Sequence, residues 1–475
     1  MLNGATFLRR ELMIRLVRAF DEGILEQELD HIAIRLRPKE GNPSRCCVYH
    51  DRAIIKYRLM ALLGLMVEEE QDEAKPLSAY FREKLDPPAA PAAAGGEAHA
   101  KSFDRATSPL SVCGPACSGC PDSRVVSTPN CRGCFARPCV YNCPKKAIEV
   151  VNGRSVIEPK LCIKCGKCIA VCPYHAIVKT TVPCEEACPV NAIRKNEQGV
   201  AEIDFKRCIF CGKCFNACPF SAVMERSQLL DVLLAMKRGD HLVAMVAPSA
   251  EHQFPGSIEQ LLTACSKAGF SDVIEVALGA EKTTEHETAE FLERMKKDPK
   301  TFMTTSCCPA YVNLVAKHLP DLIEHVSLTP SPMVYARELV KAKEPNAKTV
   351  FVGPCVAKRS EARRKSVDYV LSFEELGAIF AGRKIDVMSC EPWPVARPAN
   401  PTARNFARSC GVTEAVLVEA ATKVGMLDIV SKQINGIDRK TCAMMKMFAS
   451  GKVPVNFLEV MACNGGCVNG PCSLK

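Results

Sequence analysis

The stretch IEPKLCIKCGKCIAVCPYHAI, residues 157–177, carries Cys162, Cys165, Cys168 and Cys172-Pro173. Residues 203–223, IDFKRCIFCGKCFNACPFSAV, repeat it with Cys208, Cys211, Cys214 and Cys218-Pro219. Both read C-x2-C-x2-C-x3-C-P. Three thiolates at that spacing wrap one corner of an iron–sulfur cubane, and the fourth reaches across to a second cluster. Zinc asks for four ligands in two CxxC pairs and has no use for the third cysteine or the proline. The middle of the chain therefore reads as a set of [4Fe–4S] sites.

The partners follow from the same rule. CRGCFARPCVYNCP supplies Cys131, Cys134, Cys139 and Cys143-Pro144. The connecting AIEVVNGRSVIE places Asn152-Gly153 between alternating segments, a hairpin signal where a two-cluster ferredoxin joins its halves. One cluster then takes Cys131, Cys134, Cys139 and Cys172, and its neighbour takes Cys162, Cys165, Cys168 and Cys143. The second copy has a degenerate mate, VPCEEACPVNAI, with only Cys184 and Cys188-Pro189. Cys188 completes the cluster of Cys208, Cys211 and Cys214. Cys184 and Cys218 need two more ligands, and the upstream VCGPACSGCP offers Cys117 and Cys120, plus Cys113. Three to four [4Fe–4S] clusters are expected, and a row of them is a wire.

The rest of the chain sets the frame. It has 475 residues, 29 of them cysteine, with a formal net charge of +9. That length suggests about two to four domains. Residues 1–84 read as helical, from FLRRELMIRLVRAF and RAIIKYRLMALLGLMVEEE. Residues 85–104 are a Pro/Ala/Gly linker by composition, and 105–225 hold the clusters. From 226 to 475, apolar runs such as HLVAMVAP and KTVFVGP alternate with helical stretches. The expectation is a multidomain chain: an N-terminal helical segment, ferredoxin-like α+β domains, and a C-terminal α/β domain with a mostly parallel sheet. No secretory signal, membrane span or nucleic-acid motif is apparent, so the cysteines read as metal ligands in a cytoplasmic protein.

In the C-terminal part, cysteines follow strand-like runs. TFMTTSCCP holds Cys307 and Cys308, KTVFVGPCVAK holds Cys355, and FLEVMACNGGCVNG holds Cys463 and Cys467. Loops leaving the carboxyl ends of parallel strands converge on ligands. These three segments, in order, resemble the signatures of the [FeFe]-hydrogenases, of the less studied monomeric group B type. The resemblance implies an H-cluster, a [4Fe–4S] cubane bridged to a diiron unit with CO, cyanide and a dithiolate. Carried over, Cys308, Cys355, Cys463 and Cys467 hold the cubane, with Cys467 as the bridge, and Met461 packs on the diiron unit. Lys358 is a candidate donor to a cyanide ligand, because a buried ammonium needs an anionic partner.

Cys307 alone reads as an inert buried thiol. Within this motif set it is the proton carrier. Glu287, Glu290 and Arg294 share a helix face, and with Ser327 they match the family's proton path. The resemblance further implies an enzyme that interconverts H2 with protons and electrons, a ferredoxin or similar electron carrier, and separate maturation proteins for the diiron unit. Two other readings stand beside it: a non-catalytic iron–sulfur transfer or assembly protein, and a hydrogen or redox sensor. Gly353 replaces a methionine common in relatives, and Arg408 and Cys410 stand in place of a glycine-rich turn. Cys46, Cys47, Cys113, Cys410 and Cys472 have no role that the sequence assigns.

Overall fold

The computed structural model describes residues 4–39, 47–70, 72–86, 108–117, 119–298, 302–394, 397–425, 429–449 and 454–474. The linker expected at 85–104 falls, from residue 87 on, outside the described residues, as does Cys46.

The N-terminal segment forms helices Gly4–Asp21, Leu25–Leu36, Val48–Leu62 and Leu77–Leu85. The first buries Leu12, Met13, Leu16, Val17 and Phe20. It packs on helix Phe373–Gly382, where a Cβ at Gly382 would stand 2.6 Å from Val17, so only glycine admits that approach. Arg9 and Arg10 pair with the buried Glu374 at 2.6 and 3.0 Å. Apolar burial drives the docking, and the ion pairs fix its register.

The cluster region consists of two units of the same plan, one inside the other. In the outer unit, Arg124–Ser127 pairs antiparallel with Ile177–Thr180 around the hairpin Ile148–Val151/Arg154–Ile157. Asn152 and Gly153 both have positive φ, 48° and 75°, as a tight hairpin turn requires. In the inner unit, Leu110–Val112 pairs with Val223–Glu225 around the hairpin Ile193–Lys195/Ala201–Ile203. The outer unit is inserted into the first half of the inner one. That corrects the reading of 182–193 as a degenerate mate. Cys117 and Cys120 precede the insertion and Cys184 and Cys188 follow it, so the inner cysteine run is complete but interrupted.

The C-terminal region has two parallel sheets where the sequence suggested one. The first has the order Asp272–Glu275, Leu242–Val246, Lys348–Val352, Tyr369–Leu371. The second has the order Met303–Thr304, Phe457–Met461, Ser431–Asn435. The strands are short, and Leu242–Val246, Lys348–Val352 and Phe457–Met461 are buried almost throughout, as parallel sheets demand, while the edge strand Ser431–Asn435 is largely exposed. Strands from both sheets end at the same place, and the site forms between them.

Candidate metal centre

Each cysteine of the C-terminal set leaves a strand and starts a turn. Cys308 caps helix Pro309–His318, just after Met303–Thr304. Cys355 caps helix Val356–Arg364, just after Lys348–Val352. Cys463 and Cys467 follow Phe457–Met461. These four line one cavity of about 870 Å³ together with Cys307 and, from the inner cluster unit, Cys211. Lys358 and Met461 line it too. Burial pushes the Cys355 and Cys467 thiols up to about 12, and the Cys463 thiol is also raised. Their mutual charges add to the shift, which places all four thiols of the set within one electrostatic neighbourhood. Soft iron neutralises thiolates gathered in one neighbourhood. The cavity also holds the Ser249 hydroxyl, buried and without a hydrogen-bond partner. A cavity lined by thiols, a buried ammonium and an orphaned hydroxyl fits an iron–sulfur group with polar ligands.

Lys358 is buried, but its counter-charge comes from the protein. Its Nζ donates to Glu361 Oε2 at 2.6 Å and to Ser331 Oγ at 3.0 Å. Burial pulls its pKa down, the Glu361 carboxylate outweighs that, and the net direction is up. The expectation that the ammonium depends on a cyanide for its anionic partner is corrected accordingly. Glu361, three residues on and one helical turn away, was missed, although its i,i+3 spacing is visible in the sequence.

The proposed proton carriers fall into two parts, a hydrogen-bonded set of Ser327, Glu290 and Arg294 and the buried pair Glu287 and Cys307, which interact through charge. Glu287 lies on helix Val276–Lys297, fully buried, and neither carboxylate oxygen has a hydrogen-bond partner. Burial raises it to about 8, while the Ser327 hydroxyl and Ser306 amide, short of hydrogen-bond geometry, pull the other way. Its charge acts on Cys307, whose thiol burial holds well above its usual range. Ser327 Oγ donates to Glu290 Oε2 at 2.8 Å, and Arg294 Nη2 donates to Glu290 Oε1 at 2.6 Å. Glu290 also accepts from Thr329 Oγ1 at 3.0 Å, a contact the sequence did not disclose. Arg294 holds the Glu324 and Val326 carbonyls at the partly exposed end.

The remaining thiols gather in sets. Cys184 lies in the field of Cys218, Cys117 and Cys120. Cys214 lies in that of Cys208, Cys211 and Cys188. Cys143, Cys162, Cys165 and Cys168 line one cavity of about 340 Å³. Cys139 faces Cys134 and Cys172. Cys131 sits against the return strand of the hairpin, where the Ser155 amide and hydroxyl bring its thiol down to about 7. Each Cys-Pro corner has the same build. Lys146, His175, Asn191 and Ser221 take left-handed φ, and the next amide donates to the cysteine sulfur. Those distances are 3.3 Å at Cys143, 3.4 Å at Cys172, 3.1 Å at Cys188 and 3.3 Å at Cys218. Amides aimed at sulfur stabilise a thiolate and hence a bound cluster.

Two thiols left without a role, Cys47 and Cys472, make hydrogen bonds, and Cys410 acts through its backbone. Cys47 caps helix Val48–Leu62 by accepting from His50 N. Cys472 donates to Glu225 at 3.1 Å. Cys410 adopts φ 76° at the start of helix Gly411–Val424 and gives its amide to Glu459 at 2.8 Å. Cys113 is buried at the edge of the Cys117 set.

Comparison with known proteins identifies the domains that hold these residues. Residues 240–471 match the iron only hydrogenase large subunit, C-terminal domain. Residues 179–222 match the 4Fe-4S dicluster domain and 155–178 a 4Fe-4S binding domain. Iron hydrogenase 1 of Clostridium pasteurianum is 28% identical over 69% of this chain and 66% of its own length. The periplasmic [Fe] hydrogenase large subunit of Nitratidesulfovibrio vulgaris is 27% identical over 48% of this chain and 67% of its own. The cytosolic Fe-S cluster assembly factor NAR1 of Eremothecium gossypii is 22% identical over 42% of this chain and 58% of its own. The chain thus spans about two thirds of the length of the hydrogenases it matches. With its cluster-binding domains ahead of that C-terminal domain, the chain is an [FeFe]-hydrogenase-like iron–sulfur protein.

Proposed function

We propose that the chain interconverts H2 with protons and electrons. The observation that carries this reading is the buried Glu287, whose charge acts on Cys307 in the cavity wall, beside the hydrogen-bonded set of Ser327, Glu290 and Arg294. Cys308, Cys355, Cys463 and Cys467 would hold an H-cluster, with Cys467 as the bridge, and Lys358 and Met461 would contact its diiron unit. When bound, that group supplies the metal centre at which the H–H bond is made or broken.

The chain's own residues handle the proton. Cys307 Sγ takes it up or delivers it at the cavity wall. Glu287, held neutral near pH 7 by burial, passes it between Cys307 and the Ser327 hydroxyl. Glu290, fixed by four donors, hands it to the Arg294 end. Electrons take the other way out, since Cys211 belongs to both the cavity wall and the inner cluster set. Four accessory [4Fe–4S] clusters, in the cysteine sets above, would carry them to a ferredoxin-type carrier. The protein would work as a monomer in the cytoplasm and receive its diiron unit from maturation proteins. Among the described residues no helix is long and apolar enough to cross a membrane.

The second reading, a cluster-assembly protein like the NAR1 relative, has the shared domain in its favour. It gives no purpose to a buried carboxylate, without a hydrogen-bond partner, whose charge acts on a cavity thiol. Infrared spectra of anaerobic protein coexpressed with maturases decide. Bands of iron-bound CO and cyanide with H2 turnover are expected; cubane iron without those bands means an assembly or transfer protein. Cys307→Ala keeps the bands and lowers turnover by about 10²–10⁴-fold; loss of the bands would make Cys307 a ligand instead.

The Glu287 assignment has a pH signature. Its folded pKa lies above the usual carboxylate value, so the folded state keeps a proton that the unfolded state has lost. The stabilisation is fully present below about 4.5 and is lost as pH rises through about 8. Relative to Glu287→Gln, the native chain should therefore melt progressively lower between those values, and parallel melting curves would remove the assignment.

A further inference from the structure

The N-terminal helices turn one charge toward the clusters. Helix Val48–Leu62 presents Asp51, Ile54, Ile55 and Arg58 on one face, at i, i+3, i+4 and i+7. That face lines a cavity of about 890 Å³ against Ala116, beside Cys117, and against Pro219 and Phe220, beside Cys218. Arg58 Nη2 donates to the Phe220 carbonyl at 2.9 Å. Phe220 belongs to the Cys218-Pro219 corner, which the Ala222 amide closes on the Cys218 sulfur. A residue of the N-terminal segment thus holds the corner that aims a ligand. The Cys188-Pro189 corner of the same unit has a matching bond, from Arg207 Nη2 to the Val190 carbonyl at 2.8 Å. In the outer unit the residues at that place, Lys145 and Tyr174, are exposed.

The charge of Arg58 is not met by a carboxylate. Among the described residues none forms an ion pair with it, and its Nε is buried without a hydrogen-bond partner. The nearby carboxylates are engaged elsewhere. Asp51 pairs with Arg37 at 3.7 Å. Glu225 and Glu375, which line a second cavity with Arg58, both pair with Arg359. Lys358 differs, because Glu361 neutralises it. Burial pulls the Arg58 guanidinium down from its ordinary range, the Cys113 and Cys218 sulfurs oppose that, and Arg9 and Arg37 add to it. A guanidinium keeps its proton in proteins, so a buried one takes its counter-charge from an anion close by. An anionic cluster bound through Cys218 is such an anion.

We propose that Arg58 raises the redox potential of the [4Fe–4S] cluster at Cys117, Cys120, Cys184 and Cys218, and that the N-terminal segment serves to seat it there. The proposal rests on the assignment of a cluster to those four cysteines and not on H2 chemistry. Reduction adds one negative charge to the cluster. A fixed cation beside a ligand stabilises the reduced form more than the oxidised one. The step affected is transfer of one electron between this cluster and its neighbour in the row. One is reduced as the other is oxidised, and no bond changes. Arg58 touches no ligand sulfur, so it is a positioning residue that acts through the corner and through its field.

The test is a redox titration of the full-length, cluster-loaded chain, followed anaerobically by electron paramagnetic resonance. Cys120→Ser identifies the signal of this cluster by removing or altering it. Arg58→Gln should move that signal alone to lower potential, with iron content unchanged. The expected change is about tenfold in the ratio of reduced to oxidised cluster, which is about 59 mV for one electron. Arg58→Lys, which keeps the charge, should restore most of the shift. Ile54→Glu places a carboxylate one turn away in the same cavity wall and should lower the same signal with Arg58 still in place. It decides the matter should Arg58→Gln lose the cluster. Arg35→Gln, an exposed charge on helix Leu25–Leu36, should leave every potential as it was. Native potentials in both Arg58→Gln and Ile54→Glu overturn the proposal. So does an Arg58→Lys chain that shifts as far as Arg58→Gln, which would make the hydrogen bond to Phe220 the cause. If Cys120→Ser leaves every signal in place, the cluster assignment fails and the proposal with it.

Discussion

In both cysteine runs the residue two after the first cysteine is left-handed, Lys164 at φ 57° and Phe210 at φ 58°. Its amide donates to that cysteine's sulfur at 3.4 Å in each. Glycines follow at φ 78° and 73°. The local backbone is thus the same in both copies, dictated by three ligands that must point to one centre. What differs is the residue between the ligands and what lies beyond it. Phe210 packs inward where Lys164 stands in water. One local fold serves as an internal joint in one place and as an outer surface in the other. The difference lies in side chains that touch no cluster.

Paired substitutions can break or sharpen that contrast. The largest effect should come from Ile209→Asp against Ile163→Asp. An unpaired charge at the buried position costs about 3–5 kcal/mol, and at the exposed one within about 0.5 kcal/mol. Urea unfolding of the two cluster-loaded variants checks this, and equal losses would mean that the inner contact is dispensable. Gly212→Ala against Gly166→Ala comes next. Both incur about 1 kcal/mol for a Cβ at positive φ, but only Gly212 meets Pro471 and Val356. Overpacking adds about 1–3 kcal/mol there, read as a difference between the two denaturation midpoints. Lys213→Ala against Lys167→Ala is the smallest. Loss of the Lys213 bond to the Ile437 carbonyl costs about 1 kcal/mol, and Lys167, which serves as the baseline, shows almost none. A Lys167 loss as large as that at Lys213 would show that the outer face is covered within the folded chain.

Much of the site was legible because ligand spacing is a local property. Cys-Pro corners, the C-x2-C-x2-C runs and the Asn152-Gly153 hairpin each need only a few neighbouring residues to fix their geometry. The line Glu287, Glu290, Arg294 was visible as a helix face. What could not be read was whether that face meets solvent or Cys307, since periodicity marks a face without naming its neighbour.

The nested units show the other limit. Cys117 and Cys120 are sequence-distant from Cys184, and only the pairing of Leu110–Val112 with Val223–Glu225 brings the two ends of the interrupted run together. Glu361 beside Lys358, Thr329 beside Glu290 and Ser249 in the cavity wall likewise belong to contacts between or within folded elements.

The sequence by itself determined the ligand types, their spacing, the local turns that aim them and the strand-then-cysteine order of the C-terminal motifs. The tertiary structure decided how the two halves of the interrupted inner run come together, that two sheets rather than one close the cavity, and which of two like surfaces is buried. The physical reason is range. Ligand spacing and backbone turns are fixed by covalent geometry over a few residues, whereas burial and charge pairing depend on every element that packs against a group.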